Sequence, residues 1–94
     1  MTTQQAIKAL RKHCANSQQA FATRLGISMS GLVNYERDRN PEPRVVISII
    51  RLTKAMRALD LLPAFTMALR LSLELNDTEA TMFVAAIGRQ KDQE

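Results

Sequence analysis

The sequence has very few of the residues on which disulfide and metal architectures depend. Its 94 residues include one cysteine and one histidine. Cys14 therefore has no disulfide partner in its own chain, and a zinc site cannot be built from this chain alone. No apolar run approaches the roughly 18 residues of a transmembrane helix, and the N-terminal segment lacks the apolar stretch of a signal peptide. We expect a cytoplasmic protein with no cofactor.

The same scarcity argues against catalysis. The sequence offers no Ser/His/Asp or Cys/His arrangement, no glycine-rich phosphate loop and no group of acids suited to metal chemistry. With only three glycines and three prolines beside 46% apolar residues, it is typical of a folded, helix-rich chain. We expect a non-enzymatic, mainly α protein.

Positive charge is concentrated in the first part of the chain. Residues 1–57 contain ten Lys or Arg and three acids, a net charge of +7, whereas residues 58–94 contain three and six, a net charge of −3. A basic half is expected of a protein that meets nucleic acid phosphates, although a basic surface without a ligand gives the same count.

One stretch has the local signals of two short helices joined by a tight turn. Ser17 and Ser28 can each cap a helix, and Gly26 tolerates the positive φ with which a helix ends. Gly31 costs about 1 kcal/mol inside a helix relative to Ala, which indicates close approach either of DNA or of a protein neighbour. The predicted helices are 18–25 and 29–37, with Phe21, Ala22, Leu25, Leu32 and Tyr35 facing inward and Met29, Ser30, Val33 and Asn34 facing outward.

The motifs of this stretch are Ser17-Gln18, Phe21-Ala22, Leu25-Gly26-Ile27-Ser28, Ser30-Gly31-Leu32 and Tyr35-Glu36. At this spacing they resemble the DNA-binding domain of phage repressors, such as the lambda and 434 repressors and Cro, and of the wider Xre-type regulators. The resemblance covers residues 17–36, extends loosely to residue 56 and does not include residues 60–94. It implies a helix-turn-helix whose second helix, the recognition helix, enters the major groove of double-stranded DNA.

The resemblance also implies roles for single side chains. Gln18 would bond a phosphate and steady the first base-reading side chain, and Ser28, Met29, Ser30 and Asn34 would lie at the DNA. The Asn amide can pair with adenine N7 and N6, a Ser hydroxyl can bond several bases, and Met offers only apolar contact, for instance with a thymine methyl. Many relatives have Gln where this chain has Met29, so no known operator is transferred.

Three arginines lie within eight residues of one another, at the end of the second predicted helix and in the loop that follows it. By analogy with the repressors, Arg37 and Arg39 would contact phosphates, and Arg44 could reach toward a narrow minor groove. The resemblance further implies an ion pair between Arg11 and Glu36, which would fix the recognition helix against the first helix. The alternative is that Arg11 is a solvated surface residue.

Two more helices complete the predicted DNA-binding domain, residues 1–59. One begins after Thr2 or Thr3 and runs to about Ala15. The other runs from Arg44 to about Ala58, with apolar residues at helical spacing that close a small core.

The remainder, residues 60–88, is predicted to be a dimerisation segment. From 64 to 75 large apolar residues alternate with small or polar ones, as in a strand with one buried face, although the composition favours a helix. Such a strand has no partner within its subunit, so we predict an antiparallel ribbon that joins a two-fold homodimer. The interface residues would be Phe65, Met67, Leu69, Leu71, Leu73 and Leu75.

The chain is predicted to finish with one more helix, 77–88. Asn76 and Glu79 have capping-box spacing at its start, and a stripe of Ala80, Phe83, Val84 and Ile87 would cover the ribbon. Residues 89–94 are polar and predicted to be a flexible tail.

Three functions compete at this point. The first is a sequence-specific repressor that binds an inverted-repeat operator as a homodimer. The second is an Xre-type antitoxin that regulates its own operon and binds a toxin through residues 64–88. The third is a protein interaction module without DNA binding. The basic half and the polar outer face of the recognition helix argue against this third function.

Overall fold

The computed structural model describes residues 1–88, which form a bundle of six α-helices with one 3-10 turn. The predicted tail, residues 89–94, lies outside the described residues. None of the helices within residues 1–88 is both long and apolar enough to cross a membrane. The helices are α1 (Thr3–His13), α2 (Gln18–Leu25), α3 (Met29–Arg37), α4 (Pro43–Ala55), α5 (Leu62–Ser72) and α6 (Asp77–Ala86), and the 3-10 turn is Leu59–Leu61.

Side-chain caps determine where the first three helices begin. Thr2, Ser17 and Ser28 each accept a hydrogen bond from the backbone N–H three residues on, at 3.1, 3.1 and 3.0 Å. Each bond satisfies a helix N–H that has no partner within the helix, which contributes about 1 kcal/mol. Helices α1 and α4 end earlier than predicted because the chain turns into the left-handed region shortly afterwards, at Ala15 (φ 55°) and Arg57 (φ 56°).

All six helices contribute to one continuous apolar core. Burying one large apolar side chain of this kind contributes roughly 1.5–3 kcal/mol. Residues on both sides of the predicted boundary at residue 59 belong to this core, so the boundary does not separate two hydrophobic cores. The largest side chains with less than 2% exposure are Phe21, Phe65, Ile7, Leu10, Leu32, Ile49, Ile50, Leu69 and Val46, together with the hydroxyl-bearing Thr53.

The predicted strand over 64–75 is wrong, because this segment is helical within α5 and its C-terminal turn. The strand prediction places the alanines of this segment on the face opposite the large apolar residues. Ala64 and Ala68 instead pack on the core beside Phe65 and Leu69, so the inner face follows the i, i+1, i+4, i+5 spacing of a helix. A helix also satisfies its own backbone hydrogen bonds, which a strand without a partner does not.

The ribbon interface is wrong for the same reason. Phe65 and Leu69 are fully buried within their own chain and are not available to a second copy, and Leu73 and Leu75 are half-buried. Met67 and Leu71 lie on the opposite side of α5, with 48% and 64% of their surface exposed. The alternating sequence therefore makes a helix with a buried apolar face and a second, exposed apolar side.

Helix α6 begins with the predicted capping box. Asn76 Oδ1 accepts from the Glu79 backbone N–H at 2.8 Å, and the Asn76 N–H donates to Glu79 Oε1 at 2.9 Å. Of the predicted stripe, Ala80, Val84 and Ile87 are buried, whereas Phe83 is 39% exposed.

The C-terminal end of α6 is held by a lysine from α4. The Lys54 ammonium donates to the backbone carbonyls of Val84 and Ile87, the latter at 2.9 Å. These carbonyls lie at a helix end, where acceptors lack partners within the helix and a cation is favoured. Lys54 therefore connects the half of the chain that contains α3 to its last helix.

Candidate nucleic-acid interface

Helices α2 and α3 form a helix-turn-helix around a left-handed glycine. Gly26 ends α2 with φ 72° and ψ 31°. The next N–H, that of Ile27, donates back to the Ala22 carbonyl at 3.0 Å, which closes the turn. Ala22 is fully buried, as expected for a small residue where two helices approach closely.

The two sides of α3 have different environments. Leu32 and Tyr35 are buried in the core, with 0% and 7% of their surface exposed. On the other side Met29 is 43% exposed, Ser30 is exposed and Asn34 is half-buried. The three residues predicted to read bases are thus accessible from outside the subunit at the N-terminal two turns of this helix.

The glycine inside α3 lies close to the hydroxyl that caps this helix. A Cβ built on Gly31 would lie 3.0 Å from the hydroxyl oxygen of Ser28. That oxygen accepts from the Gly31 N–H, also at 3.0 Å, and so caps the helix. The same cap geometry holds Ala20 at Ser17 and Gln5 at Thr2, so contact with this rotatable hydroxyl does not by itself require glycine.

Arg11 and Glu36 form a bidentate ion pair between α1 and α3. Arg11 Nε lies 2.7 Å from Glu36 Oε2, and Arg11 Nη2 lies 3.1 Å from Oε1. The two side chains are only 15% and 5% exposed. The hydrogen bond to Glu36 raises the pKa of the Arg11 guanidinium and the negative charge of Glu36 adds to this, while burial acts in the opposite direction. Arg11 is therefore a charged structural residue and not a solvated one.

The chain at the start of α2 contacts both partners of this ion pair. Gln18 Nε2 lies 3.4 Å from Glu36 Oε1, and Arg11 Nη1 donates to the Asn16 carbonyl at 3.3 Å. Three helices are thus tied together by polar contacts below the exposed side of α3. In this geometry the Gln18 amide is directed at Glu36, and its carbonyl oxygen and second N–H are the groups left for a ligand.

The three predicted DNA-facing arginines are all exposed, and each lies differently. Arg37 Nη2 donates to Asn34 Oδ1 at 3.2 Å. The Arg39 guanidinium lies over the Tyr35 ring, 5.8 Å from its centroid, within the range of a cation–π contact. Arg44 lies in the first turn of α4.

Two further residues at this surface were not predicted. Lys8 lines an open polar cleft between α1, α2 and α3 together with Gln18, Val33 and Arg37. Its spacing of three residues from Arg11 places both on one side of α1, a signal that the sequence does contain. Gln4 Nε2 donates to the Arg39 carbonyl at 3.1 Å and to Asn40 Oδ1 at 3.0 Å, a contact across 35 residues that the sequence does not reveal.

The chemistry of this surface is that of hydrogen bonding and positive charge. Within residues 1–88 no group of three or more His, Cys, Asp or Glu side chains is placed to hold a metal ion. The exposed groups around α3 are instead a hydroxyl, a thioether, a lysine and arginines, beside the half-buried amide of Asn34. These are the groups with which proteins contact phosphates and base edges.

A capped helix pair with a left-handed turn, an accessible second helix and flanking arginines defines a helix-turn-helix DNA-binding protein. The family model described as Helix-turn-helix matches residues 7–55, just over half of the chain. The chain belongs to this family, the Cro/Xre type of DNA-binding transcription regulator, and the resemblance drawn from the sequence is confirmed. The family is a regulatory and not an enzymatic one. Comparison with curated proteins and with solved structures gave no match.

Proposed function

We propose that the protein is a sequence-specific repressor that binds an inverted-repeat operator as a homodimer. The observation that carries this proposal is that Met29 and Ser30 are exposed and Asn34 is half-buried on one side of α3, while the Arg11–Glu36 ion pair holds the other side of this helix. A rigid support matters because base readout requires side chains held at a defined distance from the groove.

Base contacts in this proposal come from the first two turns of α3. Asn34 and Ser30 hydrogen-bond base edges, and Met29 makes apolar contact, for example with a thymine methyl. Ser28 lies at the same helix end, where a phosphate is favoured by the free N–H groups and the helix dipole. Gln18 reaches a phosphate with the part of its amide that Glu36 does not use.

Phosphate contacts come from the exposed arginines. The cation–π contact with Tyr35 limits the freedom of Arg39, so less conformational entropy is lost when it meets a phosphate. Arg37 has N–H donors beyond the one that Asn34 accepts, and Arg44 lies at the start of the next helix. Phosphate contacts of this kind fix the register of the protein on DNA.

The homodimer is supported by apolar side chains outside the DNA-facing surface. In the described part of the chain, Leu59, Met67, Leu71, Met82 and Phe83 are between 39% and 67% exposed. A second copy that covers some of them would remove apolar area from water and present two α3 helices. A dimer reads half-sites about 34 Å apart, one turn of DNA, and therefore an inverted repeat.

Selection of bound duplexes from a random pool tests the proposal. We expect a palindromic site, and we expect sedimentation of the protein with that duplex to give two chains per site. Enrichment of a single unrepeated half-site would contradict the proposed homodimer but would still agree with DNA binding. Binding without any enriched sequence would contradict the repressor.

A further inference from the structure

Asn34 and Arg37 lie one turn apart on the accessible side of α3 and are joined by a hydrogen bond. Arg37 Nη2 is 3.2 Å from Asn34 Oδ1. A guanidinium carries only donors, so the amide atom that faces it must be the oxygen, and the orientation of the Asn34 amide is fixed by chemistry. The amide NH2 group then has both of its N–H donors free of other protein partners within residues 1–88.

Arg37 has no stronger partner that would draw it away from Asn34. Its only ion-pair neighbour in the described part of the chain is Asp38, at 4.0 Å between Nε and Oδ2. Both of those side chains are at least 70% exposed, and such pairs contribute little. The hydrogen bond to Asn34 is therefore the contact that orients the Arg37 side chain.

We propose that Asn34 and Arg37 read one base pair as a unit, and that Arg37 makes this unit prefer guanine over adenine. This inference rests on the proposed function, since it requires α3 to lie in the major groove. An asparagine that reads adenine donates to N7 and accepts from the N6 amino group with its own oxygen. In this protein that oxygen already accepts from a cation.

One lone pair of Asn34 Oδ1 remains beside the cation, and all the other groups left to face the groove are donors. They are the two N–H groups of Asn34 and the remaining N–H groups of Arg37. Guanine presents two acceptors, N7 and O6, on its major-groove edge, whereas adenine presents one acceptor and one donor. A unit rich in donors is complementary to guanine, whereas at adenine the N6 amino donor meets an oxygen that already binds a cation.

The test begins by finding the base pair that Asn34 contacts. Asn34→Ala is compared with the unaltered protein on the selected duplex, and the pair at which preference is lost is the Asn34 position. Four duplexes that differ only at this pair are then titrated by fluorescence anisotropy. For the unaltered protein we expect guanine to bind about tenfold more tightly than adenine, the discrimination typical of one good side-chain contact.

Arg37→Met removes the donors and keeps the length of the side chain. We expect this variant to lose the guanine preference and to bind the adenine duplex at least as tightly as the guanine duplex. The matched control is Arg39→Met, which removes a neighbouring charge that does not contact Asn34. The control should weaken all four duplexes by the same factor and keep their order.

A measurement without DNA checks the contact itself. The side-chain amide resonances of Asn34 should shift in Arg37→Met and stay in place in Arg39→Met. An adenine preference in the unaltered protein, or equal weakening of all four duplexes by Arg37→Met, would overturn the inference and leave the DNA-binding function intact. If no duplex is selected at all, the proposed function fails and this inference with it.

Discussion

The two halves of the chain share one core but present different surfaces. Residues 1–57 have a net charge of +7, and residues 58–94 have a net charge of −3. Large apolar side chains are exposed mainly in the second half, where Leu59, Met67, Leu71, Met82 and Phe83 contrast with Met1 and Met29 in the first half. The first surface suits a polyanion and the second suits apolar contact.

The shared core limits how independent these two surfaces are. Helix α5 packs on α4 and on α1, and Phe65 and Leu69 are buried in the same cluster as Phe21 and Leu32. Damage to the second half should therefore reach the DNA-binding half. Variants in each half therefore test how far the stability and DNA binding of one half depend on the other.

The largest effect is expected from Phe65→Ala. Its side chain is fully buried, and removing it should lower the free energy of unfolding by about 3–5 kcal/mol, through lost burial and the cavity left behind. Denaturant unfolding should remain a single transition, with DNA binding lost at the same midpoint as helicity.

Met67→Ala is the matched control, because Met67 lies on the exposed side of the same helix. It should change stability by less than about 0.5 kcal/mol in the monomer. If Phe65→Ala melted α5 and α6 while residues 3–55 unfolded at an unchanged midpoint, the two halves would be separate folding units.

The next effect concerns the ion pair behind α3. Arg11→Met leaves the Glu36 carboxylate, which is 5% exposed, without its main partner and should destabilise the protein by about 3 kcal/mol. The double variant Arg11→Met, Glu36→Gln should recover much of this loss, because no buried charge is then left unpaired. A double-variant loss equal to the sum of the losses in Arg11→Met alone and Glu36→Gln alone would show that the pair adds no coupling.

The pH dependence of this pair follows from the direction of the shift. The pKa of Arg11 is raised in the folded protein, so the stabilisation from its charge is complete below the unfolded pKa. It is lost only as pH rises through the raised pKa, in strongly alkaline solution. Thermal denaturation between pH 7 and 10 should therefore show the same difference between Arg11→Met and the unaltered protein.

The first half was predictable because its signals are local. A capping hydroxyl at Ser17, a glycine at residue 26 and a second cap at Ser28 set the bounds of α2 and α3 to the residue. These features act through neighbours three or four positions away, which a sequence displays directly.

The prediction of a strand over 64–75 was wrong because the pattern of this segment fits two periods. Large apolar residues at every second position fit a strand, whereas Phe65 and Leu69 together with Ala64 and Ala68 fit one face of a helix. The choice depends on which elements lie nearby, since a strand needs a partner that the chain does not supply. The Lys54 contact with α6 was invisible for a related reason, because its partners are 30 or more residues away.

That lysine gives a further prediction, of intermediate size. Lys54→Met removes the ammonium that two terminal carbonyls of α6 accept from, and should cost about 1.5–3 kcal/mol. Hydrogen exchange should speed up in α6 and remain slow in α3. Arg51→Met, an exposed cation one turn earlier on α4, should leave both helices as they are. Faster exchange in α3 as well would show that Lys54 supports the DNA-binding half directly.

The smallest effect is expected from Arg39→Met, because this arginine is exposed and contacts one phosphate in the proposed complex. Specific and random duplexes should lose affinity by the same factor, and the slope of log affinity against log salt should become about one unit shallower. Met67→Ala, on the acidic half, should leave that slope unchanged. A shallower slope in Met67→Ala would mean that the second surface also meets DNA, and the division between a polyanion surface and an apolar surface would no longer hold.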